Sequence, residues 1–226
     1  MKRILVTGIS GQIGSYLAED LVAAGHEVLG VALTRLAELP AAIRWCETPL
    51  TLGTVTRLLD ECGKLDAIVH LAGRSSVSAS WATPSEVFEV NATLTSALAF
   101  AVARERQTVL VHASSGEIFG RAAVPLHTED TPIAPTTPYG VSKAAAHLAV
   151  RLAREGYGAP MSNLIFYPAE SERRPETFVF RKITRGLAAV ALGQAETITL
   201  GNTAAVRDFS HARDLAAAVA LVALGA

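Results

Sequence analysis

Short apolar runs alternate along the chain with longer segments in which apolar residues return every three or four positions. RILVTG (3–8), EVLGVAL (27–33), AIVHLAG (67–73), TVLVHAS (108–114) and MSNLIFY (161–167) are apolar at consecutive positions, the pattern of strands buried on both faces. IRWCETPL (43–50) reads as a weaker strand. Helical spacing covers 12–25 with Gly25 as a stop, then 55–62, 84–105, 139–156, 176–192 and 211–223. Strands and helices taking turns predict an α/β chain whose parallel sheet is covered by helices on both faces. The Pro/Thr-rich stretch 128–138 reads as a loop over the carboxyl edge of that sheet.

A glycine-rich turn refines this expectation. Gly8, Gly11 and Gly14 follow the first strand directly and open the first helix. The first allows a tight turn, the second lets backbone N–H groups approach a pyrophosphate, and the third lets helix and strand pack closely. A phosphate would sit at the helix N-terminus, where unpaired N–H groups and the dipole favour negative charge. The fold expected is therefore a Rossmann-type doubly wound sheet binding a dinucleotide, and the G-x-x-G-x-x-G spacing points to the short-chain dehydrogenase/reductase superfamily. The end of the second strand should select the cofactor. An acid there would hold a ribose 2′-hydroxyl, whereas this chain has Thr34 and Arg35, which suit a 2′-phosphate and favour NADP over NAD.

Composition narrows the partners. The chain has 226 residues, half of them hydrophobic, with a net charge of −1, which speaks against a nucleic-acid or anionic-membrane surface. No apolar run reads as long enough to span a bilayer. The N-terminal apolar run breaks at Gly8, too early for a signal peptide, so a cytoplasmic enzyme is expected. Cys46 and Cys62 lack metal-ligand spacing and read as ordinary thiols, although a bond between them stays open at this level; no metal site is expected.

Candidate chemistry lies further along. Tyr139 stands four residues before Lys143, so on a helix phenol and ammonium share a face. A tyrosine of ordinary pKa ~10 is a poor base near neutrality, and a nearby cation favours its ionised form. Reaching about 7 takes roughly 4 kcal/mol. Such a tyrosine could take a hydroxyl proton while hydride leaves the same carbon. Ser115, at the end of the preceding strand, could hydrogen-bond the substrate oxygen. Glu117, two residues on, adds a base that a plain dehydrogenase does not need: it could remove a proton from carbon next to a newly formed ketone.

These stretches together carry a resemblance. GISGQIGSYLAEDL, ASSGEIFG (113–120), TPYGVSKAAAHLAVRLAREGYG (137–158), ESERRPETFVFRKITR (170–185) and LGNTAAVRDFSHARD (200–214) resemble the extended short-chain dehydrogenase/reductases, and among them the GDP-mannose 4,6-dehydratase family, along essentially the whole chain. The resemblance implies a catalytic set of Ser115 (a threonine in the family), Glu117, Tyr139 and Lys143. It places Gly8, Ile9, Ser10, Gly11, Gln12, Ile13 and Gly14, Arg35, Leu71, Ala72, Gly73, Arg74 and Ser75, Lys143 and Arg174 at the cofactor. It places Thr177, Val179, Lys182, Arg185 and Arg207 at the nucleotide diphosphate of a nucleotide-sugar substrate. It implies an NADP-binding domain over 1–160, and over 161–226 a mixed segment with the last sheet strand and part of a substrate lobe. Alanine-rich faces on helices 84–105 and 139–156 imply a homodimer or a dimer of dimers.

The chain also departs from that pattern. Pro168-Ala169 replaces Asn-His, Pro49-Leu50 replaces the Asp-Leu expected near the adenine, and Arg74 and Ser76 depart from the usual residues after the fourth strand. The sequence stops at Ala226 where relatives continue, so the C-terminal lobe reads as shortened. The activity expected is conversion of GDP-mannose to a 4-keto-6-deoxy sugar nucleotide with NADP recycled. A sugar-nucleotide 4-epimerase or reductase, which would not need Glu117, and a non-catalytic NADP-binding protein remain the alternatives.

Overall fold

In the computed structural model, which describes all residues except 37, 106, 122, 123, 125 and 226, six parallel strands form one sheet in the order β3-β2-β1-β4-β5-β6. The strands are β1 (Arg3–Thr7), β2 (Glu27–Val31), β3 (Arg44–Trp45), β4 (Ala67–His70), β5 (Val109–Ser115) and β6 (Met161–Phe166). The connections reverse direction between β1 and β4. At that switch point the loops after two neighbouring strands diverge and leave a crevice at their carboxyl ends.

Each strand divides its residues between two cores. Leu5, Leu29, Ile68 and Leu110 pack with α2 (Val55–Cys62), α4 (Leu94–Glu105) and α5 (Pro138–Tyr157) on one face. Ile4, Val6, Val69 and Val111 pack with α1 (Gln12–Ala23) and α7 (Ala212–Leu224) on the other. This is why the strands read as unbroken apolar runs: with both faces covered, alternation disappears.

Two elements differ from the sequence expectation. The third strand shrinks from 43–50 to Arg44–Trp45 because the backbone donors after it go elsewhere. The Glu61 carboxylate on α2 accepts from Glu47 N at 2.7 Å and Thr48 N at 2.9 Å, so the chain leaves the sheet. The helix 84–105 is continuous but uneven: α3 (Pro84–Phe88) passes through a π-helical turn (Glu89–Thr93) into α4. Contrary to the reading from apolar runs, the stretch Pro84–Glu105 is long and apolar enough to cross a membrane by length and composition. Half of it is buried, and Leu94, Leu98 and Val102 lie in the sheet core, the place of a core helix.

Beyond β6 the chain forms a two-stranded parallel ribbon, β7 (Ala169–Glu170) with β8 (Ser210–His211). Between its strands lies α6 (Val179–Ala191), which starts three residues later than the spacing predicts, after an extended Phe178. No residue of α6 is buried. The ribbon is tied to the sheet domain through Gln12: its Nε2 donates to Ala169 O at 2.8 Å and its Oε1 accepts from Ser171 Oγ at 3.0 Å.

Candidate active site

The turn after β1 is shaped by what its glycines lack. Gly8 has φ +68°, and a Cβ there would lie 2.7 Å from Ala72 N, so only glycine lets the turn pass beside the chain leaving β4. At Gly14 a Cβ would meet Gly8 O at 2.5 Å, so α1 starts in contact with the turn. Gly8 N donates to Val31 O and Gly11 N to Gly8 O, which fixes the loop. Gly11 is the exposed cap of α1 and offers no side-chain acceptor to the first N–H groups of the helix. These donors at an open helix start suit a phosphate. Ile9 is buried, Ile13 partly buried, and Ser10 Oγ donates to Thr34 O, tying the turn to the end of β2.

Arg35 is exposed at that end, over the Trp45 ring and 3.0 Å from the Glu47 carboxylate. A dinucleotide phosphate there would compete with Glu47 for the guanidinium. On the far side of the crevice run Leu71, Ala72, Gly73, Arg74 and Ser75. A residue the sequence reading did not single out holds them: Asn91, in the π-helical turn, accepts from Arg74 N at 2.8 Å, donates to Arg74 O at 3.0 Å and to Ser142 Oγ at 3.1 Å. A buried amide in the middle of an apolar helix was the available signal.

Ser115, Glu117 and Tyr139 come together through a glycine as well. Thr137 caps α5 by accepting from Gly140 N at 2.9 Å, and Pro138 occupies its first turn. A Cβ on Gly140 would lie 2.7 Å from Glu117 O, so the helix start presses against the turn after β5. Ser115 Oγ accepts from Glu117 N at 3.2 Å, which sets that turn. Tyr139 is buried, its N–H donating to Ser80 Oγ. Burial raises its phenol pKa and Glu117 adds to the rise, while the Ser115 hydroxyl and the Arg174 guanidinium oppose it.

Here the structure differs from the expected tyrosine-lysine couple. Lys143 is buried one turn on, but its Nζ donates to Ala113 O at 2.5 Å, and the cation acting on the phenol is Arg174. Burial lowers the ammonium of Lys143 to about 8. In this state the phenol is a proton donor, and it becomes a base only when further positive charge reaches the crevice. Arg174 itself lies over the Phe178 ring, with Glu170 at 3.9 Å.

Beneath the site lies a buried polar layer absent from the sequence reading. His70 and His112 face each other across β4 and β5, their rings 5.7 Å apart. His70 bridges Thr7 Oγ1 at 2.7 Å and Thr95 Oγ1 at 3.0 Å. Burial first, and then the charge of Lys143, keep both rings neutral, His70 at about 3.

The residues expected at the nucleotide diphosphate are arranged more loosely. Thr177, Val179, Lys182, Arg185 and Arg207 are all exposed. Arg185 pairs with Glu176, and Arg207 donates to the neighbouring Val206 O. The Phe180 and Phe209 rings, 5.7 Å apart, bring α6 to the segment that carries Arg207. A cavity of about 250 Å³ opens between Arg74, Ser75 and Ser80 on one side and Phe178 on the other, next to Tyr139 and Arg174.

Known proteins resemble this chain in sequence and in fold. A GDP-mannose 4,6-dehydratase of Vibrio cholerae is 37% identical over 94% of the chain and 62% of its own length. GDP-mannose 4,6 dehydratase 1 of Arabidopsis thaliana is 36% identical over 98% of the chain and 66% of its own length. The chain thus spans less than two thirds of these relatives. Among solved structures, a dTDP-glucose 4,6-dehydratase of Streptomyces venezuelae with NAD bound superposes with a TM-score of 0.82 at 27% identity, over 97% of this chain and 71% of the other. A UDP-glucose 4-epimerase of Thermotoga maritima, at 21% identity and a TM-score of 0.85 over 97% of this chain and 72% of the other, shares the fold. The family profile described as GDP-mannose 4,6 dehydratase matches residues 5–224, nearly the whole chain, and the chain belongs to that family.

Proposed function

We propose that this chain is a sugar-nucleotide 4,6-dehydratase that acts on GDP-mannose. The observation that carries the reading is the packing of Gly140 on the Glu117 backbone in a turn set by Ser115, with the Glu117 charge acting on the Tyr139 phenol at the carboxyl edge of β5. A dehydrogenase or epimerase needs a hydroxyl acid-base; only an elimination needs a second, carboxylate base at the neighbouring carbon. When bound in the glycine-lined crevice, the nicotinamide cofactor would take hydride from C4 of the hexose and return it at C6.

The chain's own residues do the rest. Ser115 orients the O4 hydroxyl by hydrogen bonding. Tyr139 takes its proton, a step that requires positive charge to offset the burial of the phenol. Arg174 supplies part of that charge, and Lys143, whose Nζ sits on Ala113 O, supplies more once it swings towards the ribose side of the crevice. Glu117 takes the C5 proton and passes it to the C6 hydroxyl, which leaves as water; C5 regains a proton, the one Tyr139 took from O4, when hydride returns at C6. Gly8 to Gly14, Arg35, Leu71 to Ser75, Lys143 and Arg174 hold the cofactor. Thr177, Val179, Lys182, Arg185 and Arg207 hold the nucleotide diphosphate.

Within this reading residues 1–160 form the NADP-binding domain and 161–226 the last strand and part of the substrate lobe. NADP is the preferred cofactor because Arg35, not an acid, stands at the end of β2. The Streptomyces dehydratase holds NAD, so the preference belongs to this chain's residues. Phe88, Val141 and Leu152 expose apolar surface on α3 and α5, which supports pairing of two copies through these helices, and the cytoplasm is the expected compartment.

Incubation with NADP and GDP-mannose should yield a 4-keto-6-deoxy product, and GDP-sugars should raise the melting temperature more than UDP- or dTDP-sugars do. A C4 epimer as the only product would favour the epimerase. No turnover and no stabilisation by any sugar nucleotide would leave a dinucleotide-binding protein.

A further inference from the structure

Cys46 and Cys62 are sixteen residues apart in sequence, yet their sulfurs lie 3.5 Å from each other as free thiols. Cys46 follows the edge strand β3 and is partly exposed; Cys62 ends α2 and is buried. The contact is held from both sides. Cys46 N donates to Gly30 O at 3.0 Å, and one residue before Cys62 the Glu61 carboxylate accepts from the backbone of Glu47 and Thr48. The two sulfurs are thus presented to each other by a braced piece of backbone, about 1.5 Å short of a bond length of ~2.05 Å.

We propose that Cys46 and Cys62 are an intrachain disulfide site that clips the edge of the sheet to α2. Cys46 is the attacking thiol. It is the more exposed of the two, and the contact between the sulfurs, in which either thiol can donate, lowers the pKa of Cys46 while contact and burial raise that of Cys62. With a small disulfide such as oxidised glutathione as the oxidant, the Cys46 thiolate attacks one sulfur, forms a mixed disulfide and expels one glutathione thiolate. Cys62 then attacks the Cys46 sulfur and expels the second, to which its proton passes. Two protein thiols lose two electrons, and one glutathione disulfide becomes two glutathione thiols.

The test is a titration of the whole chain with oxidised glutathione, followed by alkylation, intact-mass measurement and peptide mapping. The expected product is a chain lighter by two hydrogens, its Cys46 and Cys62 peptides joined, and restored by dithiothreitol. Closing a loop of this length should raise the melting temperature of the oxidised chain by about 6–12 °C. Cys62→Ser should stop at one glutathione on Cys46, and Cys46→Ser should leave Cys62 unreacted. The proposal is overturned if the parent stops at the mixed disulfide, if the link joins two chains, or if both thiols still alkylate after oxidation. The parent chain alone decides between these outcomes, so a variant that folds poorly leaves the test intact.

Discussion

The crevice at the sheet edge carries most of the candidate site residues and the helical segment beyond it a few, and the two regions hold them differently. Around Gly8, Gly14 and Gly140 a single methyl group would meet backbone atoms at 2.5–2.7 Å, and Tyr139 and Lys143 are buried. On α6 nothing is buried, and Lys182 and Arg185 stand in solvent. The first region positions atoms for chemistry by close packing, which tolerates little change. The second offers charges to a diphosphate, which needs reach and number more than rigidity. The two regions should therefore answer differently to substitution: at the glycine contacts of the crevice stability and function fall together, and on α6 they separate.

Gly8→Ala attacks the contrast where the packed region is tightest. The positive φ and the contact with Ala72 predict a loss of about 2–4 kcal/mol in chemical denaturation together with loss of NADP binding. A variant as stable as the parent would show that the turn is not braced as described.

Lys143→Met acts in the opposite direction on stability. The ammonium has a folded value of about 8 against an ordinary 10.5, so between these values the unfolded chain holds the extra proton. Stability should rise with pH across that window, and the burial cost is present in full below it. Removing the charge should add about 1–3 kcal/mol at pH 7, the lost bond to Ala113 O offsetting part of the gain, and the advantage should shrink as pH passes 10. Thermal melts of both chains at pH 7 and pH 10.5 check the sign.

Smaller effects are expected outside the packed region. Arg35→Asp should weaken NADP about 10- to 100-fold and NAD far less, with stability within about 0.5 kcal/mol, since the Arg35–Glu47 pair is exposed. Equal weakening of both cofactors by titration calorimetry would remove the basis for preferring NADP. Arg185→Ala, smallest of all in stability, should leave the melt within about 0.5 kcal/mol while lowering affinity for a GDP-sugar. A large destabilisation would show that α6 is packed after all.

The sequence made the crevice legible because its constraints are local. Glycines at fixed offsets, Thr137-Pro138 ahead of a helix and a strand-end serine each state a backbone requirement in one or two residues. The parallel sheet covered on both faces followed from apolar runs alternating with helices. What stayed hidden depends on residues distant in sequence. Glu61 ends the third strand by taking the donors of Glu47 and Thr48. Asn91 holds the backbone of Arg74 from a π-helical turn. The histidine layer exists because the register sets His70 opposite His112. The tyrosine-lysine spacing promised a charge couple. It did not show that Lys143 would turn to Ala113 O, or that the charge of Arg174, thirty-five residues after Tyr139, would act on the phenol.

The claim that Glu117 is an elimination base, and not a loop carboxylate, is tested most directly by Glu117→Gln mixed with NADP and GDP-mannose. The first hydride transfer relies on Tyr139 and should survive, whereas elimination should slow ~100- to 10,000-fold. The reduced cofactor should then accumulate as a lasting rise in absorbance near 340 nm, transient or invisible in the parent and absent in Tyr139→Phe. A Glu117→Gln chain that turns over at the parent's rate, with no lasting rise, would contradict the account.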